Sequence, residues 1–179
     1  MARKRQAATG SGTTPPGLRD PNLPVVRPEV RAYVLDFYVD GRGNMPARDW
    51  LRSLDTQRRF AAGHAMQAQL QQDGIGVCRT RWGKNLGGGL AEFRVSEPSE
   101  QGEVVLRVFF HAFGDRRILI LHGYDKGEDP SAGRQQREIT EAKRRLNDFD
   151  ARMKAGSYPL RELPPTAAAA DRARTSRKP

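Results

Sequence analysis

The chain has 179 residues, with 31 Lys and Arg against 21 Asp and Glu for a net charge of +10, which suits a single domain and an anionic partner. Residues 1–31 hold six basic and two acidic side chains and residues 152–179 hold seven and two, so only +1 is left for the middle and the basic balance alone is poor evidence for a nucleic-acid domain. A lone cysteine, Cys78, excludes a disulfide framework, and no apolar run reaches the ~18 residues of a membrane span, because Arg107, Arg116 and Arg117 interrupt the most apolar stretch.

Proline density and scarce aromatics predict a disordered basic, Pro-rich extension over residues 1–30 and a disordered basic Pro/Ala-rich tail over 154–179, around one folded domain at 31–153. The start, Met1 to Arg5, is followed by polar residues where a signal peptide has an apolar core, which predicts a soluble cytoplasmic protein. Within the domain, Tyr33 to Val39 is β-branched and aromatic and predicts a strand ended by Asp40-Gly41-Arg42-Gly43-Asn44. Pro46 suits the first turn of a helix over Ala47 to Leu54, and Asp55 the cap of a second helix reaching Gln72, broken by Asp73-Gly74. Short strands separated by glycines follow: Val77 to Arg81, Leu90 to Val95, Val104 to His111 and Arg117 to Gly123. Ile139, Ala142, Leu146, Phe149 and Met153 then mark the apolar stripe of a final helix, with Arg134 in the loop before it. The order β-α-α-β-β-β-β-α predicts an α+β fold, a helical hairpin and a C-terminal helix packed on one face of a small antiparallel sheet.

Several chemistries are excluded by spacing. Gly83-Lys84 lacks the earlier glycine and the following Ser or Thr of a phosphate-cradling loop, and Asp125 and Asp129 are followed by Pro130 and Gln136 where a calcium loop needs Gly and Glu. One Cys and three scattered His make no zinc site, so no metal or cofactor is expected. Cys78 and His64 read as packing residues.

The hairpin from Val104 to Gly123 is the most informative stretch. Gly114-Asp115 has the chemistry of a two-residue turn, which pairs Phe113 with Arg116 and puts Arg107 opposite His122, Phe109 opposite Ile120 and His111 opposite Ile118. Leu106, Val108, Phe110, Leu119 and Leu121 then form an apolar face against the helices, and the mixed face with Arg107, His111 and His122 looks outward. Alternation in the preceding strand adds Glu92 and Arg94 to that mixed face. Lys84 in the loop before it, and Tyr124 and Lys126 after the last strand, border the same surface. Such a cationic face suits RNA phosphate and metal-free transesterification: a 2′-hydroxyl attacks phosphorus while cations stabilise the phosphorane charge and side chains move the protons. A solvated sheet face with ordinary charges fits the pattern equally well.

Lys84-Asn85-Leu86 with Gly89-Leu90-Ala91-Glu92-Phe93-Arg94 resembles the K-x-L…GLWELR signature of RelE/HigB-type toxins, especially their phage-derived subfamily. Leu106-Arg107-Val108-Phe109-Phe110 resembles the YRVxYF strand, Ile120 to Lys126 the LLHGFxKK strand end, and Glu138-Ile139 with Ala142 the E-I-x-x-A helix. The resemblance covers about residues 33 to 153. It implies the toxin of a type II toxin-antitoxin pair, an endoribonuclease cutting mRNA on the translating ribosome and neutralised by a cognate antitoxin, a small helix-turn-helix protein. By motif, Lys84, Arg94 and Lys126 match the cations implied to bind phosphate and act in catalysis, with Arg107 and His122 as neighbours; the candidate catalytic residues are therefore Lys84, Arg94, Lys126 and His122, and the candidate RNA-binding ones Arg107, Tyr124, His111 and Arg81. Ala91 in place of Trp, and Asp125 and Gly127 around Lys126, depart from the pattern, which keeps open a catalytically weak RelE-like RNA- or antitoxin-binding module. A DNA-binding repressor is disfavoured, since the Asp55 to Gln72 helix has only Arg58 and Arg59 near its start.

Overall fold

In the computed structural model, which describes residues 33–99 and 102–161, the strand expected after Tyr33 is β1 (Val34–Phe37). Helix α1 (Pro46–Ser53) begins on the proline, whose missing N–H costs nothing in a first turn, and carries Arg52 in its last turn. Asp55 caps α2 (Thr56–Ala65), its carboxylate accepting from the Arg58 N–H at 2.9 Å. The helix continues through a π turn at Met66–Leu70 and a last turn at Gln71–Asp73. It stops at Gly74, whose φ of +55° and contact with the Tyr33 ring leave no room for a Cβ.

The segment expected as a strand at Val77 to Arg81 is instead a 3-10 turn, Gly74–Arg79. Val77 is buried, but by a tight turn whose carbonyl takes both the Thr80 N–H and the Thr80 hydroxyl, so a single apolar anchor imitated a strand. The strand begins later, as β2 (Gly83–Gly87), where Gly83 lies so close to the Val77 backbone that a Cβ would be 2.8 Å from it. Strands β3 (Leu90–Ser99), β4 (Gly102–Phe113) and β5 (Arg117–Asp125) follow, then α3 (Ala132–Lys154), capped by the Ser131 hydroxyl accepting from the Arg134 N–H.

The sheet order is β1-β5-β4-β3-β2. All neighbours are antiparallel except β1, which runs parallel to β5 and makes the sheet mixed rather than wholly antiparallel. The β4–β5 turn has three residues, Gly114-Asp115-Arg116, with Arg116 held at φ +51°, so Phe113 pairs with Arg117. A bulge at Leu121 shifts the register again. Arg107 therefore faces Tyr124 rather than His122, His122 faces Phe109, and His111 faces Leu119 rather than Ile118.

This register corrects the face assignment of β5. Ile118 and Ile120, not Leu119 and Leu121, join Leu106, Val108 and Phe110 beneath α1 and α2. Leu119 and Leu121 turn to the other face with Phe109 and Leu90, an apolar area that needs its own cover. The α3 stripe, Ala142, Leu146 and Phe149, supplies it. The α+β fold thus carries its helical hairpin on one face and its C-terminal helix on the other, and the mixed face is not left wholly open. What α3 leaves uncovered is the polar end of that face.

The expected extension over 1–30 and residues 162–179 of the expected tail lie outside the described residues. Packing continues past the expected boundary at 153: the Tyr158 hydroxyl accepts from the Val39 N–H at 2.8 Å, and its ring meets Phe149 edge-on.

Candidate functional site

Strand register gathers most of the candidate residues at the uncovered end of the sheet. One row across it reads Lys84, Glu92, Phe109, His122, and the next reads Arg94, Arg107, Tyr124. Cross-strand neighbours lie ~5 Å apart, so each row holds its side chains within reach of one another.

Two like charges facing each other at Arg94 and Arg107 need compensation, and Glu92 provides it. Its carboxylate is 1% exposed, with Oε1 at 2.8 Å from Arg107 Nε and 3.4 Å from Arg94 Nε. These contacts are ionic rather than aligned hydrogen bonds, and Oε2 meets no partner among the described residues. Arg107 spends a further nitrogen on the Leu106 carbonyl at 3.0 Å. Arg94 is 36% exposed, and its two terminal nitrogens meet no partner among the described residues, which leaves them as a fork facing outward. Arg81, Trp82, Ser96 and both arginines line a cleft of about 160 Å³, and the Arg81 guanidinium lies 4.9 Å over the Trp82 ring.

Beyond Tyr124 the face becomes acid-base balanced. The Arg145 guanidinium, which can only donate, reaches His122 Nδ1 at 3.0 Å, so the ring proton sits on Nε2 and is donated to Glu138. Burial pushes the His122 pKa down, with Arg145 adding to the shift and Glu138 opposing it. The ring is thus neutral with both nitrogens engaged. Burial works against ionisation of Glu138, but hydrogen bonds from His122 and Arg134 prevail and hold its pKa below the usual range. Tyr124 is 2% exposed, its hydroxyl has no partner among the described residues, and burial followed by the Glu92 charge raises its pKa. Lys126 is tied to α3 through Gln135 at 3.2 Å.

Arg134, expected in the loop before the helix, stands in the first turn of α3 with its guanidinium 5.9 Å over the Tyr124 ring, so it belongs to the site. Together with Trp50, Arg58, His122 and Glu138 it lines a second cleft of about 480 Å³. The Asp125 carboxylate is paired with Arg58 of α2 at 2.9 Å and accepts from the Gly127 N–H at 2.7 Å.

The structure brings Arg81, Arg94 and Arg107 into one cleft, with Lys84 in the adjoining row and Lys126 just past Tyr124. It sets His122 and Tyr124 against the second cleft and separates His111 from both. His111 packs under α3 against Phe149 and contacts the Gly89 carbonyl through Nδ1 at 2.8 Å, which steadies the β2–β3 turn. Sequence reasoning missed Trp82 as a cleft wall and Glu92 as the shared anchor. The Arg81-Trp82 pair just ahead of a strand was the available signal for the first; nothing local marked Glu92 as buried.

No curated protein matches the chain. Residues 49–147, from within α1 into α3 and including every cleft-lining residue named above, match the family model described as Phage derived protein Gp49-like (DUF891). That span is more than half of the chain, and the protein belongs to the Gp49-like family.

Proposed function

We propose that the chain is a RelE/HigB-like toxin of a type II toxin-antitoxin pair that cuts mRNA on the ribosome without a metal. Membership of a phage-derived family is compatible with a toxin role. The observation that carries the reading is the Arg94–Glu92–Arg107 cluster. One buried carboxylate fixes two guanidiniums through their Nε atoms and leaves the Arg94 fork open to a cleft walled by an aromatic ring. A phosphate diester with a base beside Trp82 fits that cleft.

In the proposed reaction the 2′-oxygen attacks phosphorus as the bond to the 5′-oxygen breaks, leaving a 2′,3′-cyclic phosphate and a 5′-hydroxyl. Arg94 holds the phosphate oxygens and Arg107 lowers the cost of their added charge. One of Lys84 and Lys126, acting as the free amine, takes the 2′-hydroxyl proton, and the other, as the ammonium, gives a proton to the leaving 5′-oxygen. His122 orients Glu138, and through it Arg134 over Tyr124. Tyr124 and Arg81 serve binding, and His111 shapes the turn beside Lys84. The second reading, a weak binding module, draws on the same Glu92, whose charge cancels one of the two arginines.

Arg94→Ala should slow cleavage by about 10²-fold while weakening RNA binding far less, because a fixed fork acts mainly on the transition state. The matched control is Arg42→Ala, an exposed residue in the turn after β1 at the opposite sheet edge. Growth arrest and mRNA cuts on expression should be relieved by the first variant only. A wild type that neither arrests growth nor cuts mRNA, with RNA or antitoxin still bound, selects the binding module.

A further inference from the structure

Gly63 sits inside α2, where glycine is less favourable than alanine because the backbone loses more freedom on folding. Neither usual reason for a glycine applies. Its φ is not in the left-handed region, and a Cβ built on it meets nothing within 4 Å. No requirement within the described fold explains the missing side chain.

What surrounds it is an unfilled surface. Gly63 lines a groove of about 330 Å³ with Leu35 and Phe37 of β1, Leu51 of α1 and Met66. β1 is the edge of the sheet among the described residues, so the backbone beside the groove has a free side. One helical turn before Gly63, Phe60 is 73% exposed, and its one ring contact among the described residues is with His64. Phe60, Gly63 and Gln67 follow one another at helical spacing, which joins the exposed ring to the groove.

The charges choose the occupant. No acidic residue lines the groove. Arg52 follows the groove residue Leu51 in α1 and Arg59 stands one helical turn before Gly63 in α2; the Arg59 guanidinium donates to the Arg52 carbonyl at 3.1 Å, neither side chain meets a carboxylate among the described residues, and Asp49 of α1 is already paired with Arg48. The 31 residues at the start of the chain carry six basic and two acidic side chains and would be repelled. A second copy placed symmetrically would bring the same arginines together. RNA would satisfy the arginines but offers no aliphatic groups for Leu35, Leu51 and Met66.

We propose that this groove is the docking surface for an acidic amphipathic peptide segment of a partner protein, with an apolar side chain seated over Gly63 and carboxylates on Arg52 and Arg59. It lies at the sheet edge remote from the Arg94 cleft, so peptide and RNA bind together. On the toxin reading the partner is the antitoxin, but the surface does not depend on nuclease activity.

The test pans the full-length chain with a displayed library of random peptides and measures synthetic copies of the selected sequences. Enriched peptides should combine Asp or Glu with apolar residues three and four apart. Gly63→Gln, which fills the notch and favours the helix, should bind them ~10-fold or more weakly with no fall in melting temperature. Arg52→Glu with Arg59→Glu should select basic peptides instead. Arg94→Ala should bind the original peptides normally. The proposal is overturned if no peptides are enriched, if those enriched lack acids, if Gly63→Gln leaves affinity unchanged, or if a labelled single-stranded RNA, rather than peptide, loses binding in Gly63→Gln.

Discussion

His122 shows how one ring can be set by its neighbours. Burial holds its pKa below the ordinary 6.5, helped by Arg145 and resisted by the hydrogen bond to Glu138. Because the folded value is depressed, the unfolded chain binds the extra proton below about pH 6.5. The stability this contributes is complete above that pH and is lost as pH falls through the depressed folded value. Unfolding free energy measured in urea should therefore decline from about pH 7 toward pH 5, and His122→Gln should flatten the decline. Gln can donate to Glu138 and accept from Arg145 as the neutral ring does; an unchanged slope in that variant would assign the effect elsewhere. At this scale the sequence was legible where alternation alone decides, as for Arg94 and Arg107. It was not legible for Glu92, since a carboxylate in a strand reads as exposed until two guanidiniums are known to share one of its oxygens.

Elements were legible by type and order, while their junctions were not. Capping residues and periodicity located the helices, but a turn one residue longer reversed the faces of Ile118 to Ile120 and a bulge at Leu121 returned His122 to the expected face, and nothing between Val104 and Gly123 records either event locally. Placement of the last helix follows from that reversal: once Leu119 and Leu121 face away from α1, an amphipathic helix has to cover them. Gly123 illustrates the same dependence on partners. A Cβ there would overlap the Trp50 ring, so the glycine is what lets α1 lie flat on β5 between His122 and Tyr124. Gly123→Ala should cost roughly 1–3 kcal/mol through displacement of Trp50. Thermal unfolding followed by Trp fluorescence checks this, and an unshifted transition with native emission would show that α1 can tilt freely.

For the whole molecule, packing runs past residue 153, where composition places the end of the folded domain. Tyr158 reads as part of a Pro-rich tail, yet it packs on Tyr38 and Phe149 and accepts a hydrogen bond from the Val39 N–H just past β1. A chain ended after Arg161 should keep its melting temperature, whereas one ended after Ser157 should lose about 2 kcal/mol, the scale of removing a half-buried aromatic. Equal stability of the two truncations would show that the Tyr158 contacts contribute nothing. Charge likewise divides into a diffuse part, carried by the two ends, and a local part at the cleft. With its Nε committed to Glu92, Arg94 offers two parallel donors whose spacing matches two oxygens on one tetrahedral centre and not a spherical ion. Chloride should therefore act on RNA binding only by screening, smoothly with ionic strength, whereas sulfate at matched ionic strength should compete for the fork itself, and Arg94→Ala should make the two salts indistinguishable. A carboxylate buried to hold two side chains still would then be the reason one anion is told from another.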